Sequence, residues 1–212
     1  MGLKYFSSLE RANEGENFKN LKLKYFTGSI SMILSAEDGK LYYELWLPLL
    51  DFVNKKYEAN KKLKKIAGAQ GLDATEVKEV ADKLWDDVSV IDEYLLQYKV
   101  LPEEHREIVA SWKRCVRGRF MMERHLKKGS ILISMENEEV YQVCGIKSSL
   151  EEMFYYAPLP LMIEATLMPF RDVIITDGLI MPYNILIGRT MARTFKDVYM
   201  TAKKDGVLHK TL

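Results

Sequence analysis

The feature that most constrains this chain is a change of hydrophobic period near Gly118. Before it, apolar residues recur at the three- and four-residue spacing of a helix face. After it, short apolar runs alternate with turn residues. A helix repeats every 3.6 residues and a strand every two, so one element type cannot serve both halves. The pattern predicts an α+β chain in which a helical N-terminal part packs on a small antiparallel β-sheet or barrel-like C-terminal part with a closing helix. Residues 1–34 are expected to be an N-terminal docking segment, 35–117 the helical part, and 118–212 the β-rich part.

In the helical part, Ser35 followed by Glu37 and Asp38 reads as a helix start, because a side-chain oxygen caps free amides and acids suit the positive helix end. Leu41, Leu45, Leu49, Phe52 and Val53 continue as a helical stripe. Pro48 interrupts it, and a lost hydrogen bond there predicts a kink or a break. Asp73 to Glu76 has the form of a capping box ahead of Val77, Val80, Ala81, Leu84 and Trp85. Val90, Ile91, Tyr94 and Leu95 predict another helix. Pro102 opens a last one, carrying Ile108, Val109, Trp112, Cys115 and Val116.

Beyond Gly118, residues 131–134 and 140–146 read as strands joined by the polar turn 136–139. Ser148 to Glu151 has the form of a second capping box. Residues 161–167, 173–176 and 179–187 read as further strands, and 190–204 as a helix closed by Gly206. In the N-terminal segment "LKYF" occurs at residues 3–6 and 23–26. These read as two short apolar anchors, too few for a repeat architecture.

Two acids in the β part invite a chemical reading. Asp177-Gly178 stands between apolar runs, the strongest short hairpin signal, with Thr176 and Leu179 as the expected flanking pair. Asp172 lies five residues upstream. An odd separation in a regular strand places two side chains on opposite faces, so a shared metal or proton is not expected. Asp177 and Gly178 are assigned a structural turn.

The same stretch carries a resemblance. Met168-Pro-Phe170, Asp172, Ile174, Ile175, Asp177-Gly-Leu179, Tyr183 and Gly188 are similar to the "LPF-x-D-x-I-I-x-DGL" pattern of an uncharacterised family of bacterial proteins, mainly from Firmicutes. The likeness covers about the last 90 residues. It implies a fold module and no established activity. Some such proteins carry a metal-binding SEC-C tail, and the present sequence has no such Cys-rich run.

Composition excludes several function classes. The 212 residues suffice for one large domain or two small ones. Net charge is +1, which advertises neither nucleic acid nor membrane. The apolar runs fall short of the roughly 18 residues a membrane span needs, and the first residues have no apolar signal region, so a soluble cytoplasmic protein is expected. Cys115 and Cys144 show no CxxC or Cys/His spacing and read as free thiols. His105, His125 and His209 are scattered among charged residues, as surface histidines are. The methionines read as adaptable core filling. No metal and no cofactor are expected, since nucleotide-loop, zinc-protease and nucleophile-elbow patterns do not occur.

Charge distribution is less even than net charge. Residues 71–112 hold 11 acids and 4 bases, whereas residues 113–128 hold 7 bases and 1 acid. That second segment, KRCVRGRFMMERHLKK, has Arg114, Arg117, Arg119, Arg124, Lys127 and Lys128 as candidate nucleic-acid contacts, with Phe120 among them. A second run, KKYEANKKLKK, spans residues 55–65. Three readings follow. The first is a non-catalytic interaction or regulatory module with an unknown protein partner, of the kind found in mobile-element or phage-type systems. The second is a nucleic-acid-binding protein using residues 113–128, with residues 55–65 as a second candidate surface. The third is an enzyme with an unrecognised site.

Overall fold

The computed structural model describes residues 32–69 and 71–212. The segment expected to dock at residues 1–34 lies outside the described residues, apart from its last three. By compactness the described residues divide into one unit of residues 40–105 and another of residues 32–39 with 106–212.

Helix α1 (Ala36–Tyr57) starts where the sequence indicates. The Asp38 amide donates to Ser35 Oγ at 3.0 Å, and its first four residues belong to the second unit. Of the kink or break expected at Pro48, the break does not occur: α1 runs through it as one helix. A proline in a helix interior costs about 3 kcal/mol. Tyr42, Leu45, Trp46, Leu49, Leu50 and Val53 of α1 are all buried, at about 1.5–3 kcal/mol for each large aliphatic side chain, which outweighs that loss.

Helix α2 (Ala74–Asp86) is capped by Asp73, whose carboxylate accepts from the amides of Thr75 and Glu76. The Glu76 side chain meets Lys62 at 3.2 Å. Helix α3 (Val90–Gln97) follows, with Val90, Ile91, Tyr94 and Leu95 buried as the spacing predicts. Aromatic contacts tie these helices together. Trp46 stacks on Trp85 with ring centres 5.3 Å apart, and Phe52 meets Tyr94 edge-on at 5.5 Å.

Helix α4 (Glu103–Ser111) ends earlier than its apolar spacing suggests. A 3-10 turn, Trp112–Arg114, leads into strand β1 (Val116–Leu126). Most of the basic segment, residues 116–126, is therefore a strand. Strands β2 (Gly129–Ser134) and β3 (Val140–Cys144) continue the meander. A one-turn helix, α5 (Leu150–Met153), has a true capping box, but its cap is Ser149 with Glu152, one residue later than the sequence pattern indicated. Strands β4 (Leu161–Phe170), β5 (Val173–Thr176) and β6 (Met181–Pro182) complete the sheet. Helix α6 (Arg189–Asp205) closes the fold, and Gly206 ends it in the left-handed conformation.

The six strands follow the order β1-β2-β3-β5-β4-β6, and β1 also pairs with β4. All pairings are antiparallel except β3 with β5. β1 gives its N-terminal half to β4 and its C-terminal half to β2. The sheet therefore curls on itself without becoming a closed barrel, because β3 and β5 meet over two residue pairs alone. One face buries Phe120, Met122, Leu132, Tyr141, Ile163 and Leu167 with Leu150 of α5 and Phe154 just after it. The other buries Met121, Ile131, Ile133 and Val140 under Phe195, Tyr199 and Ala202 of α6. β1 alternates in burial from Val116 to Arg119 and is loaded on both faces at Phe120, Met121 and Met122.

Among the described residues, no helix is long and apolar enough to cross a membrane.

Candidate functional site

Asp177-Gly178 is not the turn of a hairpin. β5 and β6 do not pair with each other; both run antiparallel to β4. Thr176 pairs with Leu167 and Met181 with Glu164, so four residues, 177–180, loop out opposite two, 165–166. Asp177 and Gly178 shape that loop. Gly178 has φ +82°, where a Cβ would be strained. The Asp177 side chain is buried and accepts from the Leu179 amide at 3.0 Å. This is an Asx turn, in which a carboxylate imitates a backbone carbonyl. Asp172 sits exposed in the β4–β5 turn. A structural role accounts for the hydrogen bond of Asp177. Among the described residues no group of three or more His, Cys, Asp or Glu side chains could hold a metal ion.

The basic candidates are spread along β1 and do different things. Arg114 is exposed, with Nε 3.4 Å from the Leu212 carbonyl. Arg117 and Arg119 are exposed on the strand, opposite Thr166 and Glu164 of β4. Lys127 and Lys128 form the exposed β1–β2 turn. Arg124 differs. A bulge between Met122 and Arg124 inserts Glu123 as an extra residue. The bulge turns Arg124 onto the face under α6, where its guanidinium lies 4.4 Å from the Tyr199 ring centre. Nη2 of Arg124 bonds Glu123 at 2.9 Å, and Nε bonds the same carboxylate. Arg124 is thereby part of the fold, and the other five are presented to solvent.

The β1–β2 turn does meet another basic group. A groove of about 580 Å3 is lined by Lys128, Gln142, Cys144, Arg171, Asp172 and Lys210, among others. Its charges are mixed, and Arg171 is held by Asp38 at 2.5 Å. Burial pushes the Cys144 thiol up to about 11, so its reactive thiolate is scarce near neutral pH. Burial likewise raises Cys115, and the charge of Asp177 adds to the effect.

A serine and a histidine are also brought together. His125 Nδ1 lies 2.7 Å from Ser130 Oγ across the β1–β2 ladder. Ser130 is 1% exposed, so a substrate cannot reach its hydroxyl. Burial lowers the His125 pKa, opposed in part by Glu151. The pair is a satisfied cross-strand contact.

The sequence reading overlooked the segment after β6. A strand was expected through Ile187, yet pairing stops at Pro182, apart from the Tyr183 amide donating to the Met162 carbonyl at 2.9 Å. Residues 184–187 join no ladder among the described residues. Ile185 is 48% exposed and Leu186 92%, while Ile187 packs toward the α6 core. The signal lay in "YNILIG": its apolar run suits a strand, but nothing in the run says whether a neighbour is present to pair with it.

Comparison of this chain with protein-family models, with curated proteins and with solved structures finds no match.

Proposed function

We propose that this chain is a non-catalytic interaction module, working in the cytoplasm of a bacterium and of the kind found in mobile-element or phage-type systems. It holds an extended segment of a protein partner along the edge that begins at β6. The observation that carries this reading is Leu186, almost fully exposed in an apolar run that continues from an edge strand. Natural sheets usually blunt their edges with charge or short strands, because an open edge recruits further strands. Here the run Ile185-Leu186 carries no charge. A partner strand would gain main-chain hydrogen bonds and cover those two side chains, as in β-strand addition.

Panning a displayed peptide library on the full chain tests this reading. Peptides with alternating apolar residues should be enriched, and the variant carrying Ile185→Asp and Leu186→Asp should lose them while melting as the parent does. Absence of enriched peptides, or equal binding by the variant, would reject the reading.

The nucleic-acid reading of residues 113–128 is favoured by one observation: Arg117 and Arg119 lie two residues apart on one strand and are both exposed. Substituting Gln for Arg117, Arg119, Lys127 and Lys128 should then weaken salt-sensitive binding. Unchanged binding would exclude this surface.

A further inference from the structure

The second lysine-rich run is not a frayed tail on a helix. It is a loop held in one shape by buried polar side chains. Asn54, in the last turn of α1, is nine-tenths buried. Its Nδ2 donates to the carbonyls of Asn60 at 3.0 Å and Leu63 at 2.7 Å, and its Oδ1 accepts from the Asn60 amide at 2.8 Å. Asp51, one turn earlier, accepts from the amides of Ile66 at 2.5 Å and Ala67 at 2.9 Å. Asn60, equally buried, accepts from the Lys62 amide and donates to Glu79. Leu63 and Ile66 point inward as apolar anchors.

Between these anchors the sequence "NKKLKKI" places two lysine pairs, and Lys61, Lys62, Lys64 and Lys65 are all exposed. Lys55, Lys61, Lys64 and Lys65 line a cleft of about 490 Å3 with Asp51 and Glu58. Nearby acids cancel only part of this charge. Glu58 faces Lys61 at 3.2 Å and Glu76 faces Lys62 at 3.2 Å, while Asp51 keeps its charge in the cleft and accepts from loop amides through both oxygens. Lys55, Lys64 and Lys65 are in no ion pair among the described residues.

From this we infer that the loop of residues 58–67, with Lys55 on the same cleft, is a phosphate-binding surface for nucleic acid, gripping the backbone without reading sequence. A loop need not be ordered, and ordering it costs backbone entropy. This loop is ordered by a polar network whose visible product is the placing of four lysines. Lysine is a compact point charge suited to phosphates. It is depleted from the cores of protein interfaces, and the loop's apolar side chains are turned inward, so neither a protein partner nor an inserted membrane surface is matched. Among the described residues no aromatic side chain lines the cleft to stack on a base, which makes recognition electrostatic.

The test is fluorescence anisotropy of labelled single-stranded and duplex oligonucleotides with the full chain, across a salt series. Four contacts to a single strand give a log–log slope of about −3, so affinity falls about fiftyfold between 50 and 200 mM salt. The variant Lys55→Gln, Lys61→Gln, Lys64→Gln, Lys65→Gln, with an unchanged circular dichroism spectrum, should lose most of that slope. The variant with Gln at Arg117, Arg119, Lys127 and Lys128 should keep it. No binding at 25 mM salt overturns the inference, as does an unchanged slope in the lysine variant. Displacement by poly-glutamate as effective as by DNA, or lysine-dependent binding to phosphatidylserine vesicles without binding to nucleic acid, also overturns it.

Discussion

Arg124 lies over the ring of Tyr199, its guanidinium carbon 4.4 Å from the ring centre, and joins β1 to α6 across the sheet face. Both groups would be hard to place without the other. The arginine needs an acceptor for its charge, supplied by Glu123, and the ring needs a cover on its solvent side. Replacing Arg124 with Gln should destabilise the second unit by about 1–2 kcal/mol, the range of a partly desolvated cation–π contact. Chemical denaturation measures it. Because Arg124 is engaged in the fold, the same change should leave any oligonucleotide affinity nearly unaltered. A stable Arg124→Gln variant with lost affinity would return Arg124 to the binding surface.

The loop at Asp177-Gly178 should depend on backbone geometry more than on charge. Gly178→Val forces a β-branched residue to φ +82°, and a strained backbone position costs about 1–3 kcal/mol. Asp177→Ala removes the acceptor for the Leu179 amide and leaves a buried donor unpaired, at about 1–3 kcal/mol. Asp177→Asn keeps an oxygen in place and should cost less than the alanine change. Thermal unfolding of the three variants ranks them, and an alanine variant as stable as the asparagine one would show that the Asx turn contributes nothing.

These two features also mark where the sequence was readable. Helices α2 and α3 were legible because each buries one stripe, Val77 to Trp85 and Val90 to Leu95, against neighbours in its own unit. β1 was not. Phe120 and Met122 face one core, Met121 the other, and the Glu123 bulge then shifts the alternation by one residue. Periodicity cannot survive a strand buried on both faces and bulged in the middle. Asp-Gly predicted a hairpin where β5 and β6 instead both pair with β4, since turn chemistry specifies local geometry and leaves the pairing partner open. The lysine run of the candidate surface was visible as composition. Its supports were not, because the groups that bond Asp51 and Asn54 lie 6 to 16 residues away.

His125 links stability to pH. Burial lowers its pKa below 6.5 in the folded chain, so the unfolded chain binds the proton more tightly. Stability therefore contains a contribution that is complete above the unfolded pKa and is lost as pH falls through about 6.5 toward the lower folded value. Glu151 opposes burial and narrows that window. Denaturation of the parent at pH 7.5 and 5.5 should show a loss at the lower pH, and His125→Gln should shrink it. An equal loss in the variant would place the titrating group elsewhere.

Asn54 should decide whether the lysine loop has a shape at all. It gives three hydrogen bonds to residues 60 and 63 from a buried position, where water cannot substitute for it. Asn54→Ala should cost about 2–4 kcal/mol, since it leaves an amide and two carbonyls without their partner. The loss should also be local in character. The Asn60 amide is held by Asn54 itself, so its hydrogen exchange should quicken beyond what the fall in global stability explains. Ile66 and Ala67, held by Asp51, should be less affected. Asp51→Asn reverses the order, because an amide offers one oxygen where the carboxylate serves two donors. Exchange measured residue by residue across both variants separates these patterns. Uniform quickening in both would mean that the loop opens only with the whole unit, and that the two side chains act as general supports of α1 instead of staples for the lysines.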